Sequence, residues 1–129
     1  MSGVWVLGEL LTAHAGLAAL LGDNIKGGAL DAVPSLSLNR VSRRRLPTLA
    51  PGAKRWTERV QATAQARDYE EQSAIIAMAH EAADYQIGAF AGVADVSVTP
   101  AGDGPDFILT DPTVWGGSCD FFVTYNEVV

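Results

Sequence analysis

The chain has 129 residues, 48% of them hydrophobic, and a formal net charge of −6. That apolar share excludes a disordered chain, and the length suits one domain. A single cysteine, Cys119, excludes an internal disulfide and a cysteine-rich zinc site; a lone thiol fits a reducing compartment.

Met1 to Leu11 has no basic segment and carries Glu9, so no signal peptide is expected. The longest uncharged apolar run, Leu10 to Gly22, spans thirteen residues, too few to cross a bilayer. Synthesis in the cytoplasm and no membrane contact are the expectations.

Val4 to Gly22 is predicted as the first helix. Leu7, Leu10, Leu11, Leu17, Leu20 and Leu21 recur at helical spacing, and Gly22 supplies the C-terminal stop. Ser35 to Ser42 alternates apolar and polar residues, which is strand period. Arg55 to Arg67 is a second strand with Trp56, Glu58, Val60, Ala62 and Ala64 on one face. Pro47, Pro51 and Gly52 mark a loop between them, so a long hairpin is expected.

Arg67 to Gly88 is predicted as the second helix, over about residues 69–87. Asp68 is the N-cap candidate and Glu71 completes a capping-box-like pair. Tyr69, Gln72, Ile75, Ile76, Ala79 and Ala83 form its expected buried stripe. Three strands follow: Gly92 to Pro100, Pro105 to Trp115 with a bend at Asp111-Pro112, and Gly117 to Val128. In the last, Cys119, Phe121, Val123 and Tyr125 share one face, and Phe122 points away. Gly102-Asp103-Gly104 and Gly116-Gly117 read as turns. The expected fold class is a single α+β domain over residues 1–129, a four- or five-stranded, mostly antiparallel sheet packed with two helices.

Charge is unevenly spread. Arg40, Arg43, Arg44, Arg45, Lys54, Arg55 and Arg59 are seven of the nine basic residues, and only Glu58 opposes them. The twenty residues Arg40 to Arg59 thus carry +6 and the remainder −12. A loop at about residues 43–55 would present this charge at the hairpin tip. A solvated face is the plain reading. Nucleic-acid binding is an alternative, but Trp56 is the sole aromatic residue in the segment and offers no stacking platform. A protein contact fits better, because Leu46, Pro47, Leu49 and Pro51 interleave with the charges. The contact residues expected are Arg43, Arg44, Arg45, Leu46, Leu49, Lys54 and Arg55.

No active site, cofactor site or metal site emerges. His80 and Asp84 could offer two metal ligands from one helix face, but a solvated face is the preferred reading. His14 lies near the apolar stripe of the first helix, and Cys119 reads as a small buried residue. Gly27-Gly28-Ala29 lacks the lysine and helix start of a phosphate loop.

The order of elements resembles a known family. ALLGDNI closes a leucine-rich helix, PSLSLNRVS leads the first strand, RVQATAQARDYEEQSAIIAMAHEA runs a strand into a helix, and CDFFVTYNE ends the chain. This pattern is similar to the siphophage tail-completion, or tail-terminator and head–tail joining, proteins, with relatives in prophages and gene transfer agents. The resemblance implies a non-enzymatic, hexameric ring at the head-proximal end of the tail tube. Its implied partners are its own copies, the major tail tube protein and the head-completion or connector protein. DNA would pass through the lumen without specific binding. The implied location is the virion, after synthesis in a bacterial host.

Overall fold

The computed structural model describes residues 2–28, 32–47, 54–110 and 113–127. Helices α1 (Ser2–Thr12) and α2 (Ala15–Leu21) open the chain, followed by β1 (Ile25–Gly27), β2 (Ser35–Leu46) and β3 (Lys54–Ala66). Then come α3 (Tyr69–Ala83), β4 (Ile87–Phe90), β5 (Val93–Asp103), β6 (Phe107–Leu109) and β7 (Val114–Glu127). The strands form one sheet in the order β1-β2-β3-β7-β5-β4, with β6 pairing to β7. Only β1 and β2 run parallel among these pairs. The domain is α+β as expected, but its described residues form seven strands and three helices rather than four or five and two.

Each difference has a local cause. The first helix is broken because His14 leaves helical geometry, at φ −76° and ψ 119°. Its Nδ1 accepts from the Leu17 amide at 3.2 Å, so the histidine caps a new helix whose axis is bent 89° from that of α1. No single described helix is long and apolar enough to cross a membrane. Strands β1, β4 and β6 have three or four residues, too few for alternation to register.

The β4–β5 turn lacks the usual Asn-Gly sequence. Ala91 and Gly92 both take positive φ, 52° and 76°, between the paired residues Phe90 and Val93. That is the geometry of a two-residue hairpin turn. Residues 107–109 and 114–116 form a hairpin rather than one bent strand; Asp111 and Pro112 lie outside the described residues. Gly116 and Gly117 are not a turn but part of β7. A side chain at Gly116 would strike the Phe107 ring, and one at Gly117 would strike the Gln72 amide. Gly102 and Asp103 extend β5 past an irregularity after Pro100.

All thirteen residues of β3 pair with β7, from Lys54 opposite Glu127 to Ala66 opposite Trp115. On the inner face Val60, Ala62, Ala64, Phe121, Val123 and Tyr125 are buried. They meet Leu7 and Leu11 of α1 and Ile75, Ala79 and Ala83 of α3 in one core. Small alanines on the sheet allow the helices to approach it closely. Helix α3 is capped by Asp68, whose Oδ1 accepts from the Glu71 amide at 2.7 Å. Glu71 reaches back one residue further than a capping box does and pairs with Arg67. That ion pair is the main reason the Glu71 carboxyl is held below its usual range. The helix ends at Ala83, before the expected Gly88: Asp84 turns extended, at φ −60° and ψ 127°, and Tyr85 then takes a left-handed φ of 60°. Its buried stripe is Gln72, Ile75, Ala79 and Ala83; Tyr69 is exposed and Ile76 half-buried.

One charge lies inside the core. Glu58 is fully buried on the inner face of β3. Its Oε2 accepts from the Gly3 amide at 2.9 Å and from the Tyr125 hydroxyl at 2.5 Å. The first turn of α1 has no acidic residue of its own. Glu58 therefore supplies, from across the sheet, the anion that a helix N-terminus favours. A side chain at Gly3 would lie 3.0 Å from this carboxylate, so the glycine permits the approach.

Candidate functional site: the basic end of the sheet

The basic residues do not sit in a loop. Strand β2 continues to Leu46 and β3 resumes at Lys54, so Arg43, Arg44, Arg45, Leu46, Lys54 and Arg55 all lie on paired strands. Leu49 and Pro51 fall outside the described residues. Beyond Leu38 every residue of β2 through Arg45 is exposed, as an edge-side strand reached, among the described helices, only by the first turn of α1, at Glu58 opposite Arg43. The segment is a three-stranded ribbon in which Arg45, Trp56 and Tyr125 stand in one row and Leu46, Arg55 and Asn126 in the next. An irregularity between Arg40 and Ser42 resets the alternation of β2 before this ribbon begins.

The seven cations divide by task. Arg59 binds Asp120 at 2.7 Å on the outer face. Arg55 donates to Asn126 Oδ1 at 2.8 Å and to the Asp95 carbonyl at 3.3 Å, which ties β3 to the neighbouring strands. Arg40 approaches the buried Glu58 at 3.7 Å. Each of these three is engaged by a partner on the same chain. Arg43 stacks its guanidinium over the Trp56 ring at 3.8 Å, and the indole N–H donates to Glu127 at 2.8 Å. The indole hydrogen bond, then the charges of Lys54, Arg43 and Arg45, hold the Glu127 carboxyl below its usual range. Arg44, Arg45 and Lys54 make no ion pair among the described residues. The free positive charge is thus narrower than the run of basic residues, centred on Arg43, Arg44, Arg45 and Lys54 beside the half-buried Leu46.

The opposite sheet face carries the half-buried Arg59, Gln61, Thr63 and Thr124, with Phe122 38% exposed among them. As expected, Phe122 points away from Phe121, Val123 and Tyr125. The described helices all pack on the other face, through Glu58, Leu38, Gly117 and Phe121.

His14 is a helix cap, as described. Cys119 is fully buried, and burial first, then the charges of Asp103, Asp120 and Asp84, push its thiol up to about 12. A thiol so protonated is no nucleophile at neutral pH. Sequence reasoning placed His80 with Asp84 correctly, at 3.0 Å, but missed Asp103, whose Oδ1 lies 2.7 Å from His80 Nε2. Burial lowers the His80 pKa, but the two carboxylates outweigh it and leave it raised. Sequence spacing held no signal for Asp103, because the contact joins α3 to the end of β5.

No protein-family model matches the chain, and no curated protein matches it. Among solved structures, a chain from the virion of a native gene transfer agent particle superposes with a TM-score of 0.75. The match covers 96% of this chain and 94% of that one, at 12% sequence identity. The two chains share a fold. The protein is therefore structurally related to a component of an assembled virion. The coverage leaves almost nothing of either chain outside the common architecture.

Proposed function

We propose that this is a non-enzymatic virion protein that forms a closed ring at the head-proximal end of a tail tube. In that place it ends tube growth and gives the head connector a surface to dock on. The observation that carries the reading is the end-to-end fold match with a chain of an assembled gene transfer agent virion. The sequence resemblance to tail-terminator proteins supplies the ring and its six copies. A closing ring uses different faces of each subunit, so it needs no self-complementary patch. The test is the mass and symmetry of the species on purified tail ends, where a sixfold ring is expected. Twofold dimers there, or tails lacking the protein, would sink the reading.

Contact with a neighbouring subunit or the connector is assigned to Arg43, Arg44, Arg45, Leu46, Lys54 and Arg55 at the basic end of the sheet, and to Leu49, which lies outside the described residues. Changing Arg43, Arg44 and Arg45 together to Glu is expected to leave the domain folded. The loss of stability should be about 1–2 kcal/mol, from the Arg43–Trp56 stack and from a carboxylate set across the ladder from Glu58, and circular dichroism of the variant checks that it stays folded. Head–tail joining should fall by about tenfold or more, since surface charge steers association and excludes wrong partners. Joining at the wild-type yield would reduce the arginines to a solvated face. The nucleic-acid reading has less support, because Trp56, the segment's aromatic residue, is covered by Arg43 and held by Glu127.

A further inference from the structure

The second half of α3 brings a mixed set of donors together over β5 and β7. The His80 ring lies against Phe121, with centroids 5.3 Å apart. Its Nδ1 faces the Asp84 carboxylate at 3.0 and 3.1 Å, and its Nε2 meets Asp103 Oδ1 at 2.7 Å. Asp103 is paired across the β5–β7 ladder with Cys119, whose thiol is buried beneath the helix. One nitrogen, one carboxylate oxygen and the sulfur lie within 4.8 Å of one another. We propose that His80, Asp103 and Cys119 form a binding site for one divalent transition-metal ion of the zinc class.

Four observations support this assignment. The donors are imidazole, carboxylate and thiolate, a set that suits zinc or cobalt and is wrong for calcium or magnesium. They come from three elements, α3, β5 and β7, so the grouping is not the surface pairing that any helix produces at a four-residue spacing. Asp84 stands behind His80 and fixes the ring with Nε2 forward, as a carboxylate behind a metal-bound histidine does. An open pocket of about 430 Å³, lined by His80, Asp103, Asp106, Ser118 and Gln72, adjoins the group. It offers an entry path and room for a water as fourth ligand.

The adjustment required is small. Metal–ligand bonds of about 2.0–2.3 Å put tetrahedral donors roughly 3.3–3.6 Å apart. The Nε2–Oδ1 contact of 2.7 Å must therefore open, and the sulfur, within 4.8 Å of both, must draw in by at most about an ångström. Asp103 can move, because it is 55% exposed and lies between Gly102 and Gly104. Entry of the ion displaces the thiol proton, and any proton on Nε2, while the remaining ring proton sits on Nδ1 toward Asp84. The ion would then pin α3 to both strands. This proposal does not depend on the ring reading and is decided on the isolated chain.

The test is titration of the full chain with cobalt(II) chloride at about pH 7.5, read by absorption and by equilibrium dialysis. The expected result is one cobalt per chain, with a near-ultraviolet thiolate-to-cobalt band that zinc chloride abolishes. Cys119→Ser should remove that band, and Cys119→Ser and Asp103→Asn should each weaken binding by about tenfold or more. Asp106→Asn, at the pocket wall, should change neither. Circular dichroism of each metal-free variant checks folding. Should Cys119→Ser not fold, Asp103→Asn and His80→Gln carry the same comparison. No band at tenfold excess cobalt, or binding unchanged in the folded variants, would overturn the site and leave a His80–Asp103 ion pair over a buried thiol.

Discussion

Ile75→Asp is expected to leave no folded domain under ordinary conditions. Ile75 is fully buried where α3 presses on the sheet, within the same core as Val60, Ala79 and Phe121. The substitution removes an aliphatic side chain, worth about 2–5 kcal/mol with its cavity, and places a carboxylate there. An unpaired buried charge adds several kcal/mol more. The sum is comparable with the whole stability of a small domain, about 5–15 kcal/mol. Far-ultraviolet circular dichroism and urea titration would show it directly. The neighbouring Ile76→Asp is the control. Ile76 is half-buried and borders an open pocket, so its carboxylate can stay hydrated and the domain should survive, weakened. Equal damage at the two positions would contradict the assigned helix face.

Tyr125→Phe should cost about 2 kcal/mol, because the hydroxyl it removes hydrogen-bonds to the buried Glu58 carboxylate. The diagnostic effect lies in the alkaline limb of the stability curve. Burial first, then the hydrogen bond to Glu58 and the charge on it, push the Tyr125 hydroxyl up to about 12 from an ordinary 10. The folded state therefore holds this proton more tightly than the unfolded chain does. The extra stability is fully present below pH 10 and is lost as pH rises through 12. Two pH units correspond to about 2.7 kcal/mol. Denaturant titrations between pH 9 and 12 should show a steep loss for the wild type and a shallower one for Tyr125→Phe. Parallel curves would mean that the hydroxyl titrates normally and the Glu58 contact is absent.

Sequence periodicity revealed the long elements and missed the short ones, for reasons that can be assigned. The alternation in Arg55 to Arg67 and Gly117 to Val128 is legible because one sheet face is buried under helices and the other is polar. Glu58 fell on the apolar face of that alternation, which was the available signal for its burial. Its partners, Gly3 and Tyr125, were not legible, since both lie 55 or more residues away. The two glycines of β7 misled because glycine usually marks a turn, whereas here each leaves space for a side chain from another element. The basic segment was legible as charge but not as structure. Proline and glycine suggested a loop from about residue 43, yet pairing to β3 continues through Leu46. Which arginines are spent inside the fold depended on Asp95, Asp120 and Asn126, all contributed by later strands.

The full-length pairing of β3 with β7 also dictates when this fold comes into being. Lys54 must find Glu127, and α1 must find a carboxylate on β3 whose other partner lies on β7. During synthesis β2 and β3 emerge long before the strand that lies between β3 and β5 in the finished sheet. Until β7 arrives, the sheet is two unjoined halves, one edge of β3 is bare, and Tyr125 is not there to meet Glu58. Long-range pairings of this kind close slowly and late. The basic ribbon takes its final three-stranded form only at that moment, since its third strand is the end of β7. A nascent chain thus cannot present the finished ribbon or the closed core until translation has passed β7.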